Sequence, residues 1–194
     1  MGIWKVRSLH ACRKVQKLTQ ELKCYRGVIL GLAEIRWTGF GGTVTDEGHK
    51  IWYCGEDSKH QDGVARKEVV GSVIGCTPMS SRLISILISA RPYNNTVIQV
   101  YAPTSHHDDE EVEQFEKQLV NIIAKTPKKD ILVVHGDGNA RVGPDAYQHW
   151  AGTVGRFGTG ETKDGEWIFL KFAKSHRFTL ANTLHRHKLS RTAT

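Results

Sequence analysis

The stretch Ile131-Leu132-Val133-Val134-His135-Gly136-Asp137-Gly138-Asn139 decides how this chain is read. A continuous apolar run of this length is what a strand covered on both faces requires, because neither side of its pleat meets water. The run stops at Gly136-Asp137-Gly138-Asn139, which leaves a lone carboxylate at the strand exit. The pattern has a counterpart near the N-terminus, where Val28 to Ala33 is a second short apolar run, ended abruptly by Glu34. Two isolated acids that follow two buried strands suit a site at one edge of stacked sheets.

Working outward from that stretch, Asp108 to Glu111 places acids in the first turn of a helix. Val112, Phe115, Leu119, Ile122 and Ile123 form its apolar stripe, and Pro127 marks its end. Upstream, Arg82 to Ile88 and Thr96 to Tyr101 flank a loop with Pro92, Asn94 and Asn95 and predict an antiparallel hairpin closed by Tyr101-Ala102-Pro103. At the start of the chain, Ile3 to Arg7 reads as a strand. Ser8 then caps a helix whose apolar positions Leu9, Cys12, Val15, Leu18 and Leu22 recur at helical spacing. Gly39 to Gly42 reads as a turn before a strand over Lys50 to Cys54. Downstream, a helix is expected over Gly165 to Lys174, with Trp167, Leu170 and Ala173 on one side, and then a strand over Phe178 to Asn182. Alternating strands and helices with intervening hairpins predict an α/β sandwich. The absence of repeats and low-complexity linkers predicts one domain over 1–194.

Composition narrows the partners. Lysine and arginine number 27 against 20 acids, a net charge of +7, which favours phosphate-bearing partners over cationic ones. From Lys171 to Thr194 there are six basic residues and no acid. That segment reads equally well as a nucleic-acid contact acting through counterion release or as a solvated tail. The cysteines Cys12, Cys24, Cys54 and Cys76 show no metal-ligand spacing and read as buried small hydrophobes in a reducing compartment. No secretory leader is evident, and the longest mostly apolar stretch, Leu83 to Ala90, is far short of a membrane span, so an intracellular protein with no membrane partner is expected. His106-His107 beside Asp108-Asp109 reads as a solvated helix cap rather than a metal cluster, because adjacent residues in a first turn point in different directions.

Taken alone, the two strand-exit acids leave two readings open. A carboxylate at a sheet edge can hold a hard divalent cation, and an Asp with a neighbouring Asn can orient a water against a phosphoryl oxygen. In the other reading Glu34 pairs with Arg36 or Arg82, and Asp137 caps a turn. The strings WKVRSL (4–9), LAEIRW (32–37), SSRLISI (80–86), VYAPTS (100–105) and GDGNARVG (136–143), in this order, shift the balance. Together they resemble the endonuclease/exonuclease/phosphatase superfamily and, more narrowly, the endonuclease domain of RTE-type non-LTR retrotransposons. The resemblance implies a DNase I-like, four-layer α-β-β-α sandwich of two mixed sheets, with Mg²⁺-dependent cleavage of a DNA phosphodiester at the sheet edge and no small-molecule cofactor. Carried over by motif, Glu34 matches the metal-binding glutamate, Tyr101 the active-site tyrosine, Asp137 the aspartate that activates water, and Asn139 the asparagine on the scissile phosphate. For Arg82 a phosphate role and a structural ion pair carry equal weight.

The resemblance also has breaks. Where the family pattern is WNVRSL, this chain has Lys5, and an ammonium cannot ligate Mg²⁺ and competes with it for Glu34. A bulky residue between the Asp and Asn of the catalytic loop is replaced by Gly138, which loosens that loop. Relatives continue after SRTAT with a tryptophan strand, an aspartate strand and a final Asp-His pair. The expectation is therefore a degenerate domain truncated at its C-terminus, with little or no catalysis; the competing expectation is a non-catalytic domain that binds nucleic acid or protein.

Overall fold

In the computed structural model, which describes residues 2–5, 12–24, 29–33, 37–56, 59–65, 67–104, 108–163 and 166–186, the chain opens with a β-α-β unit. Strand β1 (Gly2–Lys5) and strand β2 (Ile29–Ala33) pair in parallel, and helix α1 (Cys12–Cys24) makes the crossover between them. Leu18 and Leu22 lie one helical turn apart and bury against Leu30, Leu32 and Ile51, with Val15 and Trp37 at the margin. Because strand side chains alternate, Leu30 and Leu32 face α1 while Gly31 between them faces the opposite way. Strands β3 (Gly39–Val44), β4 (Lys50–Glu56) and β5 (Lys59–Ala65) complete this sheet, in the order β1-β2-β5-β4-β3.

A short helix α2 (Lys67–Val70) leads into the second sheet, built from β6 (Val73–Ser80), β7 (Leu83–Ile88), β8 (Asn95–Tyr101) and, after helix α3 (Asp109–Lys125), β9 (Ile131–Asp137). Its order is β6-β7-β8-β9, antiparallel except for the parallel β8–β9 pair, so both sheets are mixed. The sheets pack face to face: Trp52 and Cys54 of β4 form one buried cluster with Ile84 and Ile86 of β7. Helix α3 is capped by Asp108, whose Oδ1 accepts from the Glu111 backbone N–H, and it buries Phe115, Leu119 and Ile122, three of the five positions in the expected stripe. The two mixed sheets with their covering helices bear out the expected sandwich.

Three local expectations are corrected. Gly39–Gly42 is not a turn but the start of β3, paired residue for residue with β4. The glycines tolerate a strand here because aromatic rings occupy the space of their missing side chains: a Cβ on Gly41 would meet the Tyr53 hydroxyl, and one on Gly42 the Trp52 ring. Strand β9 does not stop before Gly136 but runs through Asp137, and it lies at the edge of its sheet among the described residues, with Ile131 exposed. Residues 178–182 do not form a strand; the chain there is irregular and tightens into a 3₁₀ turn over Ala181–Thr183. Local partners satisfy its backbone, with the Leu180 N–H donating to Thr153 O and the Thr179 and Thr183 hydroxyls donating to Gly152 O and Leu180 O. Hydroxyls of this kind compete with a sheet ladder for the same groups. The strand β6 has no counterpart in the pattern reading. Its Pro78 and glycine obscure the alternation, and it tolerates them as an edge strand.

The described residues fall into two compact units, one containing both sheets up to Gly138 and the other made of Thr104 with residues 139–163 and 166–186. The second unit has helix α4 (Glu166–Ser175), a 3₁₀ helix over Pro144–Gln148 and a small core of Val142, Ala146, Val154 and Leu170, flanked by Trp150, Trp167, Phe169 and Leu180. Helix α4 ends in a Schellman motif: the Phe178 N–H donates to Ala173 O and the Arg177 N–H to Lys174 O, with Arg177 at φ 58°. No helix of the described residues is long and apolar enough to cross a membrane.

Candidate active site

The parallel ladder between β8 and β9 carries two of the sequence-predicted residues to one place. Its register sets Gln99 opposite His135 and Tyr101 opposite Asp137, and the Ala102 N–H donates to Asp137 O at 2.9 Å just beyond the last pair. By the two-residue period, Tyr101 shares a face of β8 with Gln99, and Asp137 shares a face of β9 with His135. That the two strands approach closely at their ends depends on Gly136. It has φ 151°, and a Cβ there would collide with the Val100 carbonyl and amide.

Beneath Tyr101 lies Arg82, at the turn before β7 and only 5% exposed. Its Nε and Nη2 donate to Glu111 Oε1 at 3.1 and 2.8 Å, and its Nη1 donates to Tyr101 O at 3.1 Å. The guanidinium carbon lies 5.6 Å from the Tyr101 ring centroid, and the Tyr101 N–H donates to Arg82 O at 3.0 Å. Among the described residues, then, Arg82 forms an ion pair with Glu111. Among the described residues no hydrogen bond engages the Tyr101 hydroxyl, which leaves it able to donate. The contribution of Glu111 was hidden from the sequence, where it reads as one of several acids favouring a helix N-terminus.

Farther from the strand ends the sheet face carries a buried polar pair. Gln99 is 2% exposed, its Oε1 lies 2.9 Å from His135 Nδ1, and its side chain fills the space beside Gly31 of the opposite sheet. With the amide so oriented, Nδ1 carries the hydrogen and donates to it. Gln99 Nε2 has no partner in the described structure. Glu34 follows directly on β2 and lies outside the described residues. The register sets Lys5, the last residue of β1, opposite Ala33, one position before Glu34. Asn139 begins the second unit at φ 45°, a left-handed conformation that asparagine tolerates better than most residues. His106 and His107 lie outside the described residues, and the neighbouring Asp108 serves as the helix cap. Among the described residues no group of three or more His, Cys, Asp or Glu side chains stands where it could hold a metal ion. Of the cysteines, Cys54 is buried, and burial pushes the Cys76 thiol up to about 11, partly opposed by Lys50, so Cys76 presents no thiolate at neutral pH.

Two mixed sheets with a tyrosine and an aspartate side by side at the end of one of them can be compared with known proteins. The solved structure of the 3′ phosphatase NExo from Neisseria, bound to product DNA hairpin, superposes with a TM-score of 0.59 at 18% identity, covering 90% of this chain and 69% of that one. An endonuclease/exonuclease/phosphatase family protein from Leptotrichia buccalis gives 0.50 at 12% identity, over 85% and 82%. The chain has the endonuclease/exonuclease/phosphatase fold. The endonuclease domain of TRAS1, a telomere-specific non-LTR retrotransposon, gives a TM-score of 0.54 at 12% identity over 90% of this chain and 70% of that domain. In sequence, the chain is homologous to craniofacial development protein 2 of Bos taurus, with 38% identity over 187 residues and 95% of this chain. It spans about a third of that relative's length, 31%. No family model matches the chain.

Proposed function

We propose that this chain is a retrotransposon-derived, endonuclease-like domain directed at DNA phosphodiesters, with a weakened hydrolytic site. The observation that carries the reading is the Tyr101–Asp137 pair at the end of the β8–β9 ladder, buttressed by the Arg82–Glu111 ion pair. In this reading Asp137 takes a proton from the attacking water. The Tyr101 hydroxyl donates to developing charge on the phosphoryl oxygens, a role assigned also to the Asn139 amide. Arg82 touches no substrate; it is a positioning residue that fixes the carbonyl and ring of Tyr101. Glu34, with Asp137 as second carboxylate, fits the oxygen donors that Mg²⁺ takes alongside its waters; when bound, the ion would neutralise charge on the phosphoryl group. The residue type at Lys5 works against that hold, since an ammonium cannot ligate Mg²⁺. Gly138 leaves the loop between Asp137 and Asn139 without a side chain to anchor it.

Plasmid nicking by the full chain in Mg²⁺ tests the reading. Weak, EDTA-sensitive nicking is expected. Lys5→Asn should raise it by about tenfold or more, and Asp137→Asn in that background should lower it by roughly 10²–10⁴-fold. Salt-sensitive DNA binding with no cleavage by either the natural chain or Lys5→Asn would overturn hydrolysis. It would favour the second reading, a non-catalytic nucleic-acid-binding domain, which the basic excess of residues 171–194 supports.

A further inference from the structure

The second unit contains an open cavity of about 470 Å³ lined by Arg141, Glu161, Thr162 and Lys163. These residues come from two loops that the fold laces together. The carboxylate of Glu166, at the start of α4, accepts from the Arg141 N–H at 2.7 Å through Oε1 and from the Lys163 N–H at 2.8 Å through Oε2. The Gly143 N–H donates to Thr162 Oγ1 at 2.9 Å, the Thr162 N–H to Asp145 Oδ1 at 3.3 Å, and the Thr159 N–H to Val142 O at 3.0 Å. The loops approach so closely that a Cβ on Gly158 would strike the Val142 carbonyl.

Glu166 thus uses its charge on two backbone amides and leaves both cationic side chains at the cavity unneutralised. Among the described residues neither the Arg141 guanidinium nor the Lys163 ammonium has a hydrogen bond or ion pair. Two cations line one concave surface formed by a laced pair of loops, and among the described residues Glu161 is the only acid lining it. A guanidinium fork beside a point-charge ammonium is the donor set that a tetrahedral phosphate group matches. We propose that this cavity is a phosphate-binding subsite and that its ligand is a phosphate of a nucleic-acid backbone. As a nucleic-acid contact the subsite extends the function proposed above, yet it requires no hydrolysis and can be present on a chain that never cuts.

The test is DNA binding by the full chain, without divalent cations, followed by fluorescence anisotropy of a labelled duplex across a salt series. Arg141→Gln/Lys163→Gln is compared with the charge-matched Lys128→Gln/Lys129→Gln, which alters an exposed turn of the first unit. The cavity variant should weaken binding roughly tenfold at low salt and flatten the slope of log affinity against log salt by about 1, with the control shifting affinity less than twofold. Glu161→Gln should tighten binding by about two- to threefold, the opposite sign at the same surface. A parallel arm measures the rise in melting temperature caused by inorganic phosphate. If the cavity variant loses that rise but binds DNA like the control, the anion site stands, its source is a small phosphate, and the nucleic-acid assignment is overturned. If cavity and control variants match in both arms, the subsite is overturned. Failure of the nuclease reading would appear separately, as absent nicking with the salt-slope difference intact.

Discussion

In the sheet-built unit, Tyr101 and Asp137 are positioned by ladder hydrogen bonds and a partly buried ion pair, whereas in the second unit Arg141 and Lys163 are positioned by one carboxylate and one threonine hydroxyl that bridge two loops. A ladder distributes its hold over many repeated bonds, so it tolerates changes to outward side chains and fails when the strands can no longer approach. Laced loops behave the other way: little of their backbone is interchangeable, and a single hydroxyl can close a connection that nothing else makes.

The largest expected effect attacks the ladder. Gly136→Ala forces a Cβ into the Val100 carbonyl at a backbone angle that alanine resists, and should lower unfolding free energy by about 3 kcal/mol or more. Urea unfolding monitored by circular dichroism measures it; a loss under 1 kcal/mol would mean that the two strand ends are not tightly held. Next comes the buttress. Arg82→Ala should cost about 2–3 kcal/mol, because it removes the guanidinium that donates twice to the half-buried Glu111 carboxylate and once to Tyr101 O. A double-mutant cycle with Glu111→Ala should return at least about 1 kcal/mol of coupling, and additivity would dismiss the pair as incidental.

In the second unit the effects shrink to single groups. Thr183→Val keeps the shape but removes the hydroxyl oxygen that accepts from the Gly155 N–H at 2.7 Å, and about 1–2 kcal/mol should be lost, seen as faster amide exchange in residues 153–157. Smallest, and opposite in sign, is Arg177→Gly. It relieves the left-handed conformation at the end of α4 and should stabilise by up to about 1 kcal/mol. A fall in melting temperature would show that the arginine side chain contributes more than its backbone angle costs.

The contrast between the units also explains what the sequence disclosed. Regular periodicity reports regular hydrogen bonding, so α1, α3, β2, β7, β8 and β9 are legible from Leu18, Leu22, Phe115, Leu119 and the β-branched runs, and the strand-exit position of Asp137 with them. Where glycine stands in for bulk, as at Gly41 against Tyr53, the signal inverts, and a strand looks like a turn. Around Phe178 to Asn182 the composition favours a strand, but the Thr183 hydroxyl and the Thr153 and Ala173 carbonyls supply the backbone's partners one by one, which no periodicity records. The choice of Glu111 for Arg82 is likewise a matter of which elements meet, since the two lie 29 positions apart in the chain.

Gly31 and Gln99 illustrate a further consequence of two sheets pressed together. The amide of Gln99 occupies the volume that any larger residue at position 31 would need, and the two are joined by nothing but contact across the interface. Neither position can therefore drift on its own: a methyl gained at one must be matched by atoms surrendered at the other. Aligned homologous chains should show the two sites changing in concert, a historical trace of steric exchange that can be sought without making a single variant.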